Sequence, residues 1–421
     1  MKLKTILSLL VLLVVFQAKA LYLLIPMDDT QKDHLKAYGI AYWTLQKDVE
    51  VKWLLNYRGG SFLLQHFPEI ENECVIRGVT FETIADAQAS AILSEIARPE
   101  VNQDAISMTK APKIAVYSPP NKQPWDDAVT LVLTYAEIDY DVIYDEEILD
   151  GKLADYDWLH LHHEDFTGQH GKFWRTYQHM PWYQQEVKIN NELAQKLGFL
   201  KVSEMKSFVT REIDKYVLNG GFLFAMCAAT DTYDISLAAE GVDICQPMFD
   251  GDSMDPDADE KLNFQHTCAF ENFHLEKSPN VYEFSDIDAT ESRRNKVVRE
   301  NDFFTLFEFS AKWDPIPTML CQNHRNLIKG FMGQTTAYRK EVVKPNVLVM
   351  GENKPAHEAR YIHGEKGKGF WTFYGGHDPE DYQHLIGDPP TDLSLHPNSP
   401  GYRLILNNIL FPAAKKKKRK T

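Results

Sequence analysis

Apolar and polar positions along the first hundred residues change period several times. Residues 21–26 form a short apolar run that predicts a strand, residues 34–45 space their apolar side chains as a helix does, and residues 49–57 return to a strand. Arg58-Gly59-Gly60-Ser61 marks a turn, the stretch 81–97 is expected to contain a long amphipathic helix, and the polar stretch 98–112 reads as a linker. From Lys113 onward, short apolar runs alternate with helical patterns. Strands are predicted at 114–117, 139–144, 158–162 and 222–226, with helices at 125–137, 202–218 and 228–240. Late strands are predicted at 347–350, 359–363 and 370–373, before a closing helix at 401–411. The run 222–226 is apolar throughout, as expected where helices cover both faces of a parallel sheet. Alternation of this kind predicts a doubly wound α/β domain over 112–412, preceded by a smaller α/β unit at 21–110. The stretches 164–201 and 243–326 break the alternation and are expected as insertions over the sheet.

Composition narrows the function classes. The 421 residues are 44% hydrophobic and 25% charged, enough apolar content for a sizeable core. Acids outnumber bases by 60 to 45, for a net charge of −15, although residues 415–420 are all Lys or Arg. A nucleic-acid surface needs basic density over a broad face, so nucleic acid is not expected as a partner. The basic tail, 413–421, reads as a solvated terminus.

The first twenty residues read as an export signal. Lys2 and Lys4 precede an apolar run from Ile6 to Phe16, and Ala18-Lys19-Ala20 supplies a small-x-small cleavage site. Such a run rises only ~16 Å as a helix, too short for a ~30 Å hydrocarbon core. The mature chain is expected to begin at Leu21, to be periplasmic or secreted, and to have no stable membrane insertion. Cysteines then stand at 74, 227, 245, 268 and 321, an odd number without a CxxC pair. At least one thiol is left unpaired within the chain.

Candidate chemistry centres on Gly220-Gly221-Phe-Leu-Phe-Ala-Met226-Cys227-Ala228-Ala229-Thr230. A buried strand ends in a cysteine and a helix begins at once, the arrangement of a nucleophile elbow. The small residues Ala225 and Ala229 suit so tight a turn, and a helix N-terminus favours thiolate over thiol. A second strand ends in Gly375-Gly376-His377-Asp378-Pro379-Glu380, which offers a base for the thiol and carboxylates to orient it.

These two motifs resemble the class I glutamine amidotransferase-like superfamily, including its trehalose-utilisation (ThuA-like) relatives. The resemblance covers roughly residues 112–412. It implies a three-layer α/β/α flavodoxin-like sandwich and a Cys-His-Glu triad that hydrolyses glutamine or related amides. Carried over, Cys227 is nucleophile, His377 base, and Glu380, with Asp378 as the alternative, the orienting acid. This chain departs from the pattern in three places. Alanines at 225 and 229 replace the usual elbow glycines, Asp378 lengthens the His-Pro-Glu motif, and His160-Leu-His162-His163-Glu164-Asp165 replaces the Gly-Gly oxyanion loop. More distantly, the whole chain is similar to exported bacterial proteins labelled asparagine synthetase B. It lacks the N-terminal cysteine and pyrophosphatase loop that such a synthetase needs, since Leu21 leads and Arg58-Gly59-Gly60-Ser61 is only a partial echo.

His162, His163 and Glu164 are expected to contact substrate. Residues 160 and 162 share one face of their strand and give only two ligands where a metal site needs three or four, so no metal and no cofactor is expected. Phe173-Trp174, Tyr177 and Trp182-Tyr183 form an aromatic segment able to stack on a sugar or cap a cleft. The expected function is an exported Cys-His hydrolase or amidotransferase-like protein acting on a small amide or glycan-linked substrate. Its rivals are a non-catalytic binding or scaffold protein on the same framework and, more remotely, a synthetase-related activity.

Overall fold

The computed structural model describes residues 21–119, 127–293, 297–321, 325–385 and 387–414. The export signal expected at 1–20, the start of the helix expected at 125, and the basic run 415–420 lie outside these residues.

Five strands build the first unit: β1 (Leu21–Ile25), β2 (Val51–Leu55), β3 (Ser61–Gln65), β4 (Glu82–Ala85) and β5 (Asp104–Met108). They form an antiparallel sheet in the order β4-β1-β3-β2-β5. The stretch 81–97, expected to contain a long helix, holds the helix Asp86–Ile96 with β4 ahead of it. The expected linker at 98–112 holds β5, whose Ile106 and Met108 turn into the core while Ser107 stays outside. The helix His34–Gln46 starts where the Asp33 carboxylate accepts the Lys36 N–H at 2.9 Å, an N-cap of the usual kind.

The second sheet comprises β6 (Ile114–Tyr117), β7 (Asp141–Ile143), β8 (Trp158–Leu161), β9 (Phe222–Met226), β10 (Phe303–Leu306), β11 (Leu327–Lys329), β12 (Tyr338–Arg339), β13 (Leu348–Asn353), β14 (Glu358–Lys366) and β15 (Gly369–Tyr374). Its order is β11-β10-β13-β14-β15-β9-β8-β6-β7, with β12 against β14. From β7 to β15 the pairing is parallel. Beyond β15 it is antiparallel, beginning with the tight hairpin between β14 and β15 that Gly367, at φ +63°, closes. The expected parallel sheet is therefore a mixed one within an α/β fold. The stretch 243–326 also does more than lie over the sheet, since it contributes β10 between β11 and β13.

Both faces of β9 are buried, and its side chains alternate between two cores. Phe222, Phe224 and Met226 pack with residues of the helices His34–Gln46, Ala128–Ala136 and Pro400–Leu410. Leu223 and Ala225 pack with Val209, Ile213 and Val217 of the helix Val202–Asn219. Each such large side chain contributes about 1.5–3 kcal/mol by burial. The first core runs from Leu23 to Ala414, so the N-terminal unit shares it with the second sheet. Where two of its helices meet, a Cβ on Gly39 would lie 1.8 Å from the carbonyl oxygen of Ala136. Among the described residues no helix is long and apolar enough to cross a membrane.

Candidate active site

The strand β9 ends at Met226, and the helix Ala229–Ala238 begins three residues later. Between them Cys227 has φ +51°, a left-handed conformation that costs a non-glycine residue roughly 1–2 kcal/mol. Hydrogen bonds on both sides hold the turn. Thr230 Oγ1 donates to the Cys227 carbonyl at 2.7 Å, and the Ala229 N–H donates to the His162 carbonyl at 2.9 Å. Thr232 Oγ1 donates to the Glu164 carbonyl at 3.0 Å, so the loop after β8 is fastened to the helix after the elbow.

The Cys227 sulfur accepts the backbone N–H of Gln334 at 3.2 Å. Burial pushes the thiol up to about 11, against the backbone N–H groups of Thr335, Gln334 and Ala228, which favour the thiolate. The thiolate expected at this helix N-terminus is thus overruled by desolvation, and the resting group is a neutral thiol. Behind it, burial raises the Asp231 carboxyl to about 7 although the Thr335 hydroxyl donates to it at 2.8 Å.

The sequence singled out neither Gln334 nor Gly333. A Cβ on Gly333 would lie 3.0 Å from the Cys227 sulfur and 2.8 Å from the His377 backbone nitrogen. Both atoms thus crowd the space that a methyl group at 333 would need. The His377 N–H donates to the Met332 carbonyl at 2.9 Å and the Gly376 N–H to the Thr335 carbonyl at 2.9 Å. Cys227, Gln334, His163, His377 and His384 line one cavity of about 610 Å³, together with Phe173 and Tyr177 of the aromatic segment. Trp182 packs behind both, with ring centroids 5.8 and 5.2 Å away.

His377 is buried among other histidines. Its ring centroid lies 4.4 Å from that of His162, 6.1 Å from that of His163, and 4.8 Å from that of His384, with which it stacks in parallel. Burial, and then the neighbouring histidines, hold it well below the ordinary imidazole range. Neither of its ring nitrogens has a hydrogen-bond partner among the described residues. Cys227 and His377 are therefore brought into one cavity without a hydrogen bond between thiol and imidazole.

The expected orienting acid takes a different place. Glu380 reaches away to His396, 3.2 Å from its Nδ1. Asp378 accepts the N–H groups of Glu380 and Asp381 at 2.8 and 3.3 Å, capping the turn that Pro379 begins. That turn carries Glu380 outward, so neither carboxylate orients His377.

The three residues expected at the substrate do not share one pocket: His163 lines two, Glu164 one of these, and His162 neither. His163 lines the large cavity, and His162 is almost wholly enclosed beside it. Glu164 faces a smaller pocket with Tyr144, Glu186 and Asn190, where burial raises its carboxyl to about 8 against the pull of Lys206. Asp127 stands behind the histidines. Its carboxylate lies 3.0 Å from His160 Nε2 and 3.3 Å from His162 Nδ1, and it caps the helix Ala128–Ala136 by accepting the Val129 N–H at 2.7 Å. His160 Nδ1 meets the Phe224 carbonyl at 3.2 Å. The five cysteines are all buried and form no disulfide with one another.

No family model matches this chain, and no curated protein does. Solved structures similar to it include a cytoplasmic protein from Salmonella typhimurium, 11% identical with TM-score 0.36, spanning 72% of this chain and all of that one. A second cytoplasmic protein, from Salmonella typhimurium LT2, is 12% identical with TM-score 0.32 over the same shares. A GH42 beta-galactosidase is 12% identical with TM-score 0.26, over 64% of this chain and 28% of its own. At these scores the likenesses assign neither fold family nor activity.

Proposed function

We propose that this chain is an exported thiol hydrolase built on a flavodoxin-like, three-layer framework of the class I glutamine amidotransferase-like kind. Its substrate is a small amide or glycan-linked amide that enters the cavity above Cys227. The observation that carries this reading is the left-handed backbone at Cys227, a strained strand-to-helix turn with its sulfur at a cavity wall. Aromatic rings at Phe173 and Tyr177, set at 85° to each other, line the cavity and offer a single ring face on which a sugar can stack.

In this reading the sulfur attacks the substrate carbonyl as His377 takes up the thiol proton. The proton passes to the leaving amine, the C–N bond breaks and a thioester remains. Water then cleaves the thioester and restores the thiol. The N–H groups of Ala228 and Gln334, which already favour negative charge on the sulfur, are the candidate oxyanion donors. His377 acts without an orienting carboxylate, its unpartnered nitrogens leaving one lone pair open.

The engagement of Glu380 by His396 favours a second reading, a binding protein whose catalytic triad has come apart. Turnover separates the two. The chain is screened by mass spectrometry against primary amides and N-glycosyl amides. The hydrolase reading expects release of ammonia or a glycosylamine, lowered more than ~10³-fold in Cys227→Ala. Equal turnover in Cys227→Ala would exclude it.

A further inference from the structure

We propose that His162, His163 and His377 form a binding site for one divalent transition-metal ion of the zinc class. This inference goes beyond the thiol reading and does not rest on it.

Strand order brings the three together. His162 and His163 directly follow β8, His377 follows β15, and both strands flank β9. Loops at the carboxyl ends of neighbouring parallel strands converge, and one ring nitrogen from each histidine lies within 4.8 Å of the others. A tetrahedral ion with bonds of ~2.1 Å needs nitrogens ~3.4 Å apart, so the rings must close by at most ~1.4 Å. Both ring nitrogens of His162 and both of His377 are buried without a hydrogen-bond partner among the described residues. Buried polar atoms ordinarily find partners, and an ion would supply one to His162 and to His377.

The donor set selects the ion. Three imidazoles without a carboxylate suit zinc, copper, nickel or iron and not the oxygen-seeking magnesium or calcium. The Asp127 carboxylate, 3.3 Å from His162 Nδ1, stands where a supporting acid behind a metal-bound histidine belongs. His160 is occupied otherwise, between Asp127 and the Phe224 carbonyl, and serves as backing. Because His163 and His377 line the large cavity, the fourth position opens to it, as in sites that exchange water or ligand. A bound ion takes the His377 lone pair, so an ion-loaded site and a His377 base exclude each other.

The test uses the full chain without an affinity tag. Zn²⁺ is followed by equilibrium dialysis and Co²⁺ by visible absorption, with circular dichroism confirming the fold of each variant. Expected are one bound equivalent and a tetrahedral Co²⁺ spectrum. Binding should weaken at least 10-fold in His162→Ala and His377→Ala, and ~10–100-fold in Asp127→Asn, while Cys227→Ser binds within a few-fold of wild type. Absence of a bound equivalent in wild type, unchanged binding in folded His162→Ala and His377→Ala, or loss of binding in Cys227→Ser would each overturn the assignment. Thiol-dependent turnover is read separately, so either proposal can fail alone.

Discussion

The sulfur of Cys227 accepts the backbone N–H of Gln334 at 3.2 Å, joining a strand end to a loop 107 residues further along the chain. That contact fixes the thiol beside the His377 loop, yet burial still leaves it protonated near neutral pH.

Alkylation of Cys227 by a small neutral reagent should accordingly be slow at pH 7. With a thiol pushed up to about 11, the thiolate fraction rises roughly tenfold per pH unit below that value. Peptide mapping after timed iodoacetamide exposure is expected to show this climb from pH 7 to 10. A rate already level at pH 8 would indicate a preformed thiolate–imidazolium pair.

Asp231 should make stability fall with pH. Its folded value, about 7, lies above the ordinary 3.8. The group's contribution is therefore complete below pH ~4 and is lost as pH rises through ~7, with an upper bound of ~4 kcal/mol. Urea unfolding of Asp231→Asn is expected to show a flatter profile between pH 5 and 8, and greater stability than wild type at pH 8. An unchanged slope would count against a buried carboxyl at this site.

Gly333→Ala should fill the space shared by the Cys227 sulfur and the His377 backbone nitrogen, its Cβ meeting both at 3.0 Å or less. The expected result is more than tenfold loss of thiol-dependent turnover with the fold retained by circular dichroism. Turnover within twofold of wild type would show that the loop yields freely.

Gly39→Ala tests the shared core. A methyl 1.8 Å from the Ala136 carbonyl oxygen forces the two helices apart, at about 1–3 kcal/mol. Urea midpoints measure this directly, and a neutral or stabilising effect would contradict the close helix crossing.

Much of this arrangement is legible in the sequence, and the rest is hidden for definable reasons. Phe222–Met226 announces a doubly buried strand because every residue is apolar, and the small residues around Cys227 announce the turn. The strand β5 is concealed in a polar stretch because only Ile106 and Met108 carry its buried face. Gln334 acts through its backbone N–H, which no side-chain pattern reveals. Glu380 follows His377 at a suggestive spacing, but spacing does not encode direction, and His396 draws the acid away. His162 and His163 are adjacent in sequence, whereas their neighbour His377 comes from a distant strand end that only the strand order of the second sheet brings near.

Covalent capture by a substrate-like electrophile tests the proposed nucleophile most directly. A chloromethyl ketone that mimics a small amide is incubated with the chain at pH 7.5, and intact and peptide masses are recorded. A ligand seated in the cavity places its electrophilic carbon at the sulfur while His377 takes the proton, so capture does not wait for free thiolate. One adduct is expected, on Cys227, forming far faster than the iodoacetamide reaction and slowed more than tenfold in His377→Ala. Adducts spread over Cys74, Cys245, Cys268 and Cys321 with Cys227 unmodified would contradict it.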